Sequence, residues 1–179
     1  MEAMNAVIGE LIALGSEWQD GYHNPLFGVP YPTLNLGCIH GGDNPNRICG
    51  HCSLEFDIRA LPGMAEADIR NIIGERLNLI AKKYEVGVSY VPLFEGVPSF
   101  EQAADSELVR LAEGLTGERA EAVAFGTEAP FIQQLGCNTL VMGPGNIEQA
   151  HRPNEYLDLM QVQPAIKLLQ QFIHHYCLT

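Results

Sequence analysis

Basic residues are scarce in this chain of 179 residues, which carries 10 Lys and Arg against 22 Asp and Glu and a formal net charge of −12 at pH 7. Proteins that bind nucleic acids or anionic membrane surfaces do so through clustered Lys and Arg. No apolar run is long enough to span a bilayer, and no basic stretch followed by an apolar core opens the sequence. We therefore expect a cytoplasmic protein with neither a nucleic-acid partner nor a membrane partner.

The five cysteines are odd in number and fit no disulfide framework. Free thiols in a reducing compartment are expected instead. Cys49-x-x-Cys52 suggests a zinc or redox site, but no second cysteine pair accompanies it, and Cys52 falls on the apolar side of a predicted strand. Core cysteines explain this pair better, and a small redox protein built on it is an alternative.

The first half of the chain predicts one antiparallel sheet backed by two helices. Apolar residues recur at helical spacing over residues 4–12 and again over 69–80, and strands are expected at 33–40 and 86–91. Residues 52–59 alternate between an apolar and a polar face, which is typical of a strand with one solvated side. The outward face of this strand comprises Ser53, Glu55, Asp57 and Arg59.

The second half predicts helices at 106–115, 129–135 and 162–176, alternating with short strands at 122–125 and 139–142. Such alternation is typical of an α/β sheet with helices on both faces. Two strands are too few for a complete sheet of this kind, and the first half also lacks a strand before its first helix. We therefore expect the back part of a longer α+β protein.

A loop after the predicted strand at 139–142 carries the strongest functional signal. Glycines around a proline, at Gly143 and Gly145, fix the path of the loop and let its backbone approach a ligand closely. His151 follows, and an imidazole there can bind a metal or move a proton. A hydrogen bond to Glu148 or Glu155 explains the same histidine, and spacing alone slightly favours this, because a metal site needs three or four ligands.

Three further polar residues have both a structural and a functional interpretation. Arg59 is either a surface ion pair with Asp57 or a guanidinium offered to a substrate carboxylate. Asn46 is either a turn former or an amide donor to the same substrate. Glu128, beside Thr127, belongs to the start of a helix, and a functional role at the end of a strand is the minority interpretation.

Taken together, these stretches resemble the acetylornithine deacetylases of the zinc-dependent aminoacylase and carboxypeptidase superfamily. The similarity extends over essentially the whole chain. The matching segments are Tyr31-Pro32-Thr33-Leu34-Asn35-Leu36-Gly37, Ile39-His40-Gly41-Gly42-Asp43, Asn46-Arg47-Ile48-Cys49, Asp57-Ile58-Arg59, Leu61-Pro62-Gly63-Met64, Thr127-Glu128-Ala129-Pro130-Phe131-Ile132-Gln133 and the loop from Gly143 to Tyr156.

The resemblance implies a role for each candidate residue. His151 would be a ligand of one of two zinc (or cobalt) ions, and the loop from Gly143 to Gly145 would shape the acyl pocket. Asn46 and Arg59 would hold the carboxylate of the substrate. Residues 1–95 would form most of a lid domain that also makes a homodimer and lacks its first strand here, and residues 96–179 would form the C-terminal portion of the catalytic domain.

The implied activity is hydrolysis of N-acetyl-L-ornithine to L-ornithine and acetate in arginine biosynthesis, by a metal-bound hydroxide with a glutamate as general base. The family's other metal ligands and its catalytic glutamate would lie upstream of Met1, so we expect this chain alone to be inactive. Two alternatives stay open. One is a deacylase for another N-acyl amino acid such as succinyl-diaminopimelate, and the other is a non-catalytic dimerisation module.

Overall fold

The computed structural model describes residues 1–178, which divide into two compact units. The first unit holds Met1–Glu101 and Glu121–Gln134, and the second holds Gln102–Ala120 and residues 135–178. The elements in chain order are α1 (Glu2–Gly21), β1 (Thr33–Gly41), β2 (Cys52–Arg59), α2 (Glu66–Tyr84), α3 (Glu107–Thr116), α4 (Ala129–Gln134), two short 3-10 helices (Ile147–Gln149 and Leu159–Gln161) and α5 (Val162–Cys177). The domain boundary expected near residue 95 stays a prediction.

In the first unit, β1 and β2 pair as an antiparallel hairpin. Thr33 lies opposite Arg59 at the open end, and Gly41 lies opposite Cys52 beside the connecting loop. The polar side chains of β2 predicted to face outward from Glu55 onward are exposed, whereas the alternate apolar ones are half-buried. The predicted alternation is confirmed, and it determines which face of the hairpin the helices cover.

A β-bulge interrupts the hairpin at Gly37, between Leu36 and Cys38. Leu36 lies opposite Phe56 before the bulge, and Ile39 lies opposite Leu54 after it. The extra residue therefore restores apolar side chains of β1 to the same face as those of β2 after an odd spacing in the sequence.

The core of the first unit lies between α1, α2 and one face of the hairpin. Each helix contributes an apolar stripe at intervals of three and four residues, as the sequence predicts. Leu34, Phe56 and Ile58 from the strands pack against these stripes, and Gly15 lets α1 approach β1 closely. The buried cluster comprises Val7, Leu11, Leu14, Trp18, Ile69, Ile73, Leu77 and Ile80.

We expect Ile73→Ala to lower the free energy of unfolding of the first unit by about 2–5 kcal/mol, because Ile73 is 0% exposed and its loss leaves a cavity. Trp18 is the single tryptophan and belongs to the same cluster, so its fluorescence during denaturation reports this unit. Leu79→Ala on the outer side of α2, where Leu79 is 67% exposed, is the matched control and should cost less than about 0.5 kcal/mol. Equal losses in the two variants would contradict this packing.

Arg76 of α2 ties the two helices together through two carboxylates of α1. Its guanidinium donates to Glu10 Oε1 at 2.9 Å and to Glu17 through both terminal nitrogens, Nη1 at 3.1 Å and Nη2 at 2.5 Å. The hydrogen bond with Arg76 lowers the pKa of the Glu17 carboxyl, and the same bond raises the pKa of Arg76. A forked guanidinium suits this bidentate pairing.

The lowered pKa of Glu17 makes the stability of the first unit depend on pH. A carboxyl whose pKa is lower in the folded state contributes stability above its unfolded value, and that contribution is lost as the pH falls through the folded value. We therefore expect wild type to lose stability more steeply than Glu17→Gln when the pH is lowered from about 5. Glu75→Gln, at a position outside the ion pairs of residues 1–178, is the control. Parallel wild-type and Glu17→Gln curves from denaturant titrations would contradict the pairing.

The second unit is mainly helical. Ser106 caps α3, its hydroxyl accepting a hydrogen bond from the Val109 backbone N–H at 3.3 Å, and Gly117 ends the helix with a φ of +76°. Val109 and Ala112 of α3 are buried. His175 of α5 pairs with Glu107 at 2.9 Å between Nε2 and Oε1.

The structure confirms the α+β class, the hairpin with two helices and the three helices predicted in the second half. The strands predicted at 86–91, 122–125 and 139–142 are wrong, since the hairpin is the one sheet formed by residues 1–178. These segments are apolar, as the sequence shows. A strand also needs a neighbouring strand that forms hydrogen bonds with its backbone N–H and C=O groups. None of the described helices is long and apolar enough to cross a membrane.

Candidate functional site

The loop around His151 begins with a glycine that no other residue replaces without strain. Gly145 has a φ of +110°, and a Cβ atom there would lie 3.5 Å from Leu157 Cδ1. The Gly145 N–H donates a hydrogen bond to the side-chain oxygen of Gln161. This hydrogen bond holds the start of the loop to a residue sixteen positions later in the chain.

Asn146 begins the short 3-10 helix that precedes His151. Its side-chain oxygen accepts a hydrogen bond from the Glu148 N–H at 2.9 Å, and its carbonyl accepts one from Gln149 at the same distance. The Arg152 N–H then donates to the Gln149 carbonyl at 3.2 Å. These local bonds turn the chain through one short 3-10 helix just before His151.

His151 itself has a left-handed backbone with a φ of +61°, and Asn154 three residues later has a φ of +63°. Such conformations are uncommon outside glycine and persist where the surroundings determine them. Here the His151 N–H donates to Glu155 Oε2 at 3.2 Å, and the Glu155 N–H donates to the Arg152 carbonyl at 3.1 Å. Glu155 therefore orients the backbone of His151, and the side chain of His151 is exposed.

Residues 1–178 do not by themselves fit a metal ion. Across residues 1–178, no group of three or more His, Cys, Asp or Glu side chains is arranged to hold one. A protein metal site needs three or four such donors with oriented partners. His151 is a single donor, and one oxygen of the Glu155 carboxylate accepts a hydrogen bond from the backbone.

Arg59 lies on the exposed face of the hairpin at its open end. Its Nε donates to Asp57 Oδ2 at 3.4 Å, and both side chains are mostly solvent-exposed. A long, exposed ion pair of this kind contributes little stability. Little energy therefore holds the guanidinium to Asp57.

Asn46 lies in the loop that joins β1 to β2, at the other end of the hairpin. Its backbone N–H donates to the side-chain oxygen of Asn44 at 3.1 Å, and Arg47 pairs with Asp43 at 2.8 Å. The Asn46 side chain is exposed, and Ile48 beyond it is 99% exposed. The loop thus exposes the amide of Asn46 and the apolar side chain of Ile48 to solvent.

The hairpin separates the two residues that sequence assigned to one substrate group. Arg59 is seven residues from Cys52 along β2, or about 23 Å at the usual rise per residue, and Asn46 lies in the loop before Cys52. Gly143, Gly145 and His151 belong to the second unit, whereas Asn46 and Arg59 belong to the first.

The prediction that Cys49 and Cys52 are core residues is wrong, since both are half-buried and neither belongs to the buried cluster. Cys49 donates its thiol hydrogen to the His51 carbonyl at 3.0 Å, and all five cysteines are free. Cys52 is half-buried at the start of β2, where its Sγ fills the space that a Cβ of Gly41 would need. The Thr127 hydroxyl accepts from the Ala129 N–H at 3.2 Å, so this turn explains the segment around Glu128 without a functional role.

Sequence reasoning missed Gln161 as the anchor of Gly145, and no local signal could have found it at a separation of sixteen residues. A hydrogen bond between His151 and Glu148 or Glu155 was expected, and the observed bond joins the backbone N–H of His151 to the Glu155 carboxylate. The left-handed residues at His151 and Asn154 had a weak signal, because His and Asn adopt this conformation more readily than most residues.

The sequence of this chain is similar to the sequences of known proteins. Residues 1–85 match the family model of the peptidase dimerisation domain, and this range includes the hairpin with its two covering helices. Over 177 residues, or 99% of the chain, the sequence is 48% identical to the acetylornithine deacetylase of Edwardsiella ictaluri and 46% identical to that of Pectobacterium carotovorum. It is 45% identical over the same length to the acetylornithine deacetylase of Aliivibrio fischeri.

The resemblance to acetylornithine deacetylases is therefore confirmed along nearly the whole chain. The chain spans about half the length of these relatives, covering 46% of the first two and 47% of the third. Their shared name describes a hydrolase.

Proposed function

We propose that this chain is the C-terminal part of a metal-dependent amidohydrolase that converts N-acetyl-L-ornithine and water to L-ornithine and acetate, in the cytoplasmic synthesis of arginine. Identity of 43–48% over at least 99% of the chain to proteins named acetylornithine deacetylase is the observation that carries this proposal. The five free cysteines agree with a reducing compartment. Residues 1–95 would act as the lid and dimerisation domain, and residues 96–179 as the end of the catalytic domain.

His151 is proposed as one ligand of the metal centre. Its ring is exposed while its backbone is held by Glu155, so the imidazole is free to take a partner. The other ligands and the general base would come from outside this chain, because residues 1–178 lack a sufficient donor set. Gly143 and Gly145 would form a wall of the acyl pocket, where the absence of side chains leaves room for the acetyl group.

Arg59 and Asn46 are proposed to bind the substrate carboxylate from two different copies of the chain. A guanidinium binds a carboxylate through two parallel hydrogen bonds, and an amide adds a third. The length of β2 keeps both from reaching one ligand within a single hairpin. A homodimer formed through the peptidase dimerisation domain resolves this if the loop of one copy reaches the open hairpin end of the other.

The test uses a chimera in which this chain replaces the matched 177 residues of the Edwardsiella ictaluri relative. We expect the chimera to hydrolyse acetylornithine at an enzyme-like rate, with succinyl-diaminopimelate and other N-acyl amino acids as poorer substrates. The 179-residue chain alone, supplied with zinc, should be inactive. Activity of the isolated chain, or a chimera that folds and binds metal but prefers another acyl amino acid, would overturn the assignment.

A non-catalytic dimerisation module is the second candidate, favoured by the match of residues 1–85 and by the missing donor set. It predicts a stable dimer of the 179-residue chain that carries no metal. Light scattering and metal analysis of the purified chain measure both properties. An inactive but folded chimera would favour this candidate over the enzyme.

A further inference from the structure

The exposed face of β2 places an anion and a cation two residues apart. Asp57 and Arg59 alternate with half-buried residues, so both side chains point away from the covering helices. Their Cα atoms are about 7 Å apart at the rise of an antiparallel strand. The side chain of Arg59 is 73% exposed and that of Asp57 is 57% exposed. An incoming molecule can therefore reach both charges from the same side.

An anion that binds Arg59 takes the guanidinium away from Asp57. The Arg59 Nε donates to Asp57 Oδ2 at 3.4 Å, and this is the ion pair that Asp57 makes among residues 1–178. Glu55, the preceding exposed residue of β2, adds a second carboxylate to the same face. Once the guanidinium is neutralised, the face carries an excess of negative charge. A ligand that brings its own cation to Asp57 restores the balance.

N-acetyl-L-ornithine carries its two charges at a matching separation. Five single bonds join its carboxyl carbon to its terminal nitrogen, so the two atoms are about 6 Å apart when the side chain is extended. The terminal amine is an ammonium at neutral pH, since the pKa of an alkylammonium is about 10.4. A substrate carboxylate on Arg59 thus brings the ammonium to Asp57.

Asn35 offers the same ammonium a further acceptor. It lies directly opposite Asp57 on β1, and its side chain is exposed. Directly opposite residues of an antiparallel pair share a face, with their Cβ atoms about 5 Å apart. An ammonium donates three hydrogen bonds, so the Asp57 carboxylate and the Asn35 amide oxygen can accept from it together.

We propose that Asp57, with Asn35 beside it, binds the terminal ammonium of the substrate and determines the preference for a cationic side chain. This inference rests on the proposed function, in which Arg59 binds the substrate carboxylate. Asp57 exchanges its long ion pair with Arg59 for one with the substrate. A substrate whose side chain ends in a methyl group leaves Asp57 unpaired and is therefore bound less well.

The experiment compares two substrates of the chimera. N-acetyl-L-norvaline has the three-carbon side chain of acetylornithine but no terminal ammonium. We expect kcat/KM of the wild-type chimera to be at least about 30-fold higher for acetylornithine than for acetylnorvaline. Asp57→Asn should lower this ratio by about 10- to 100-fold, because it removes the charged acceptor of the ammonium. Its kcat/KM for acetylnorvaline should change by less than about 3-fold, because the exposed pair with Arg59 contributes little.

Glu55→Gln is the matched control, because it removes a carboxylate from the same face two residues further from Arg59. It should keep the wild-type ratio, and Asp57→Glu should recover most of it. Trp18 fluorescence during denaturation verifies that each variant is folded.

Equal losses for the two substrates in Asp57→Asn would show that Asp57 only positions Arg59, and they would overturn the proposal. An unchanged ratio in this variant would overturn it as well, while leaving the proposed function intact. A wild-type chimera that does not hydrolyse acetylornithine would instead overturn the proposed function, and this inference with it.

Discussion

Replacing His151 by alanine in the chimera is expected to lower kcat/KM for acetylornithine by more than about 100-fold. Loss of an outer-shell partner of a metal ligand already costs about 10–100-fold, and loss of the ligand itself should cost more. The bound metal should fall in the same variant, as measured by elemental analysis after dialysis. This second reading separates a lost ligand from a displaced loop.

The left-handed backbone of His151 calls for a second variant, because alanine is poorly suited to a φ of +61°. Asparagine tolerates this conformation, so His151→Asn preserves the loop but removes the imidazole. Both variants should lose activity and metal together. His23→Ala, at an exposed histidine of the first unit, should retain both. Full metal content in His151→Asn would exclude His151 as a ligand.

A mixed dimer of the chimera should recover about half of the wild-type activity when one copy carries Asn46→Ala and the other Arg59→Ala. Each variant by itself should have low activity. Arg59→Ala should lower kcat/KM by about 100-fold, or about 2.7 kcal/mol, and Asn46→Ala by about 10-fold. In the mixed dimer, one site receives both intact residues and the other receives neither. This recovery follows only if the two residues at one site come from different copies.

The reciprocal dimer is the control, with one wild-type copy and one copy carrying both substitutions. Each of its sites then has a single defect, so its activity should stay low. If Asn46 and Arg59 served the same site from one copy, the outcomes of the two mixed dimers would exchange. Differential tags allow each mixed dimer to be purified, and kcat/KM for acetylornithine is the quantity compared.

Sequence pattern correctly predicted the helices and strands that are stabilised by residues close to one another along the chain. The alternation over residues 52–59 located β2 at its observed bounds, Cys52–Arg59, and the apolar spacing over 69–80 located the buried stripe of α2. Ser106 marked the start of α3, where its hydroxyl makes the capping bond. Each signal works because side-chain period and capping chemistry depend on residues close in sequence.

Less of the candidate site could be predicted from the sequence. The resemblance implied roles for His151, Asn46 and Arg59, and these stay predictions. The pairing of β1 with β2 separates Asn46 from Arg59, and Gln161 holds Gly145 from sixteen residues away. The strand predicted at 139–142 was wrong because strand formation depends on a partner and not on apolar character alone.

Four features follow from the order of the residues without any structure. They are the α+β class, the solvated face of β2, the apolar stripes of the helices and the similarity to acetylornithine deacetylases. Tertiary structure alone decided the bulge at Gly37, the link from Arg76 to Glu10 and Glu17, and the carboxylate that holds the backbone of His151. The physical reason is the range of the interactions. Periodicity and capping act within a few residues, whereas strand register and ion pairs between helices join groups that become neighbours only when the chain has folded.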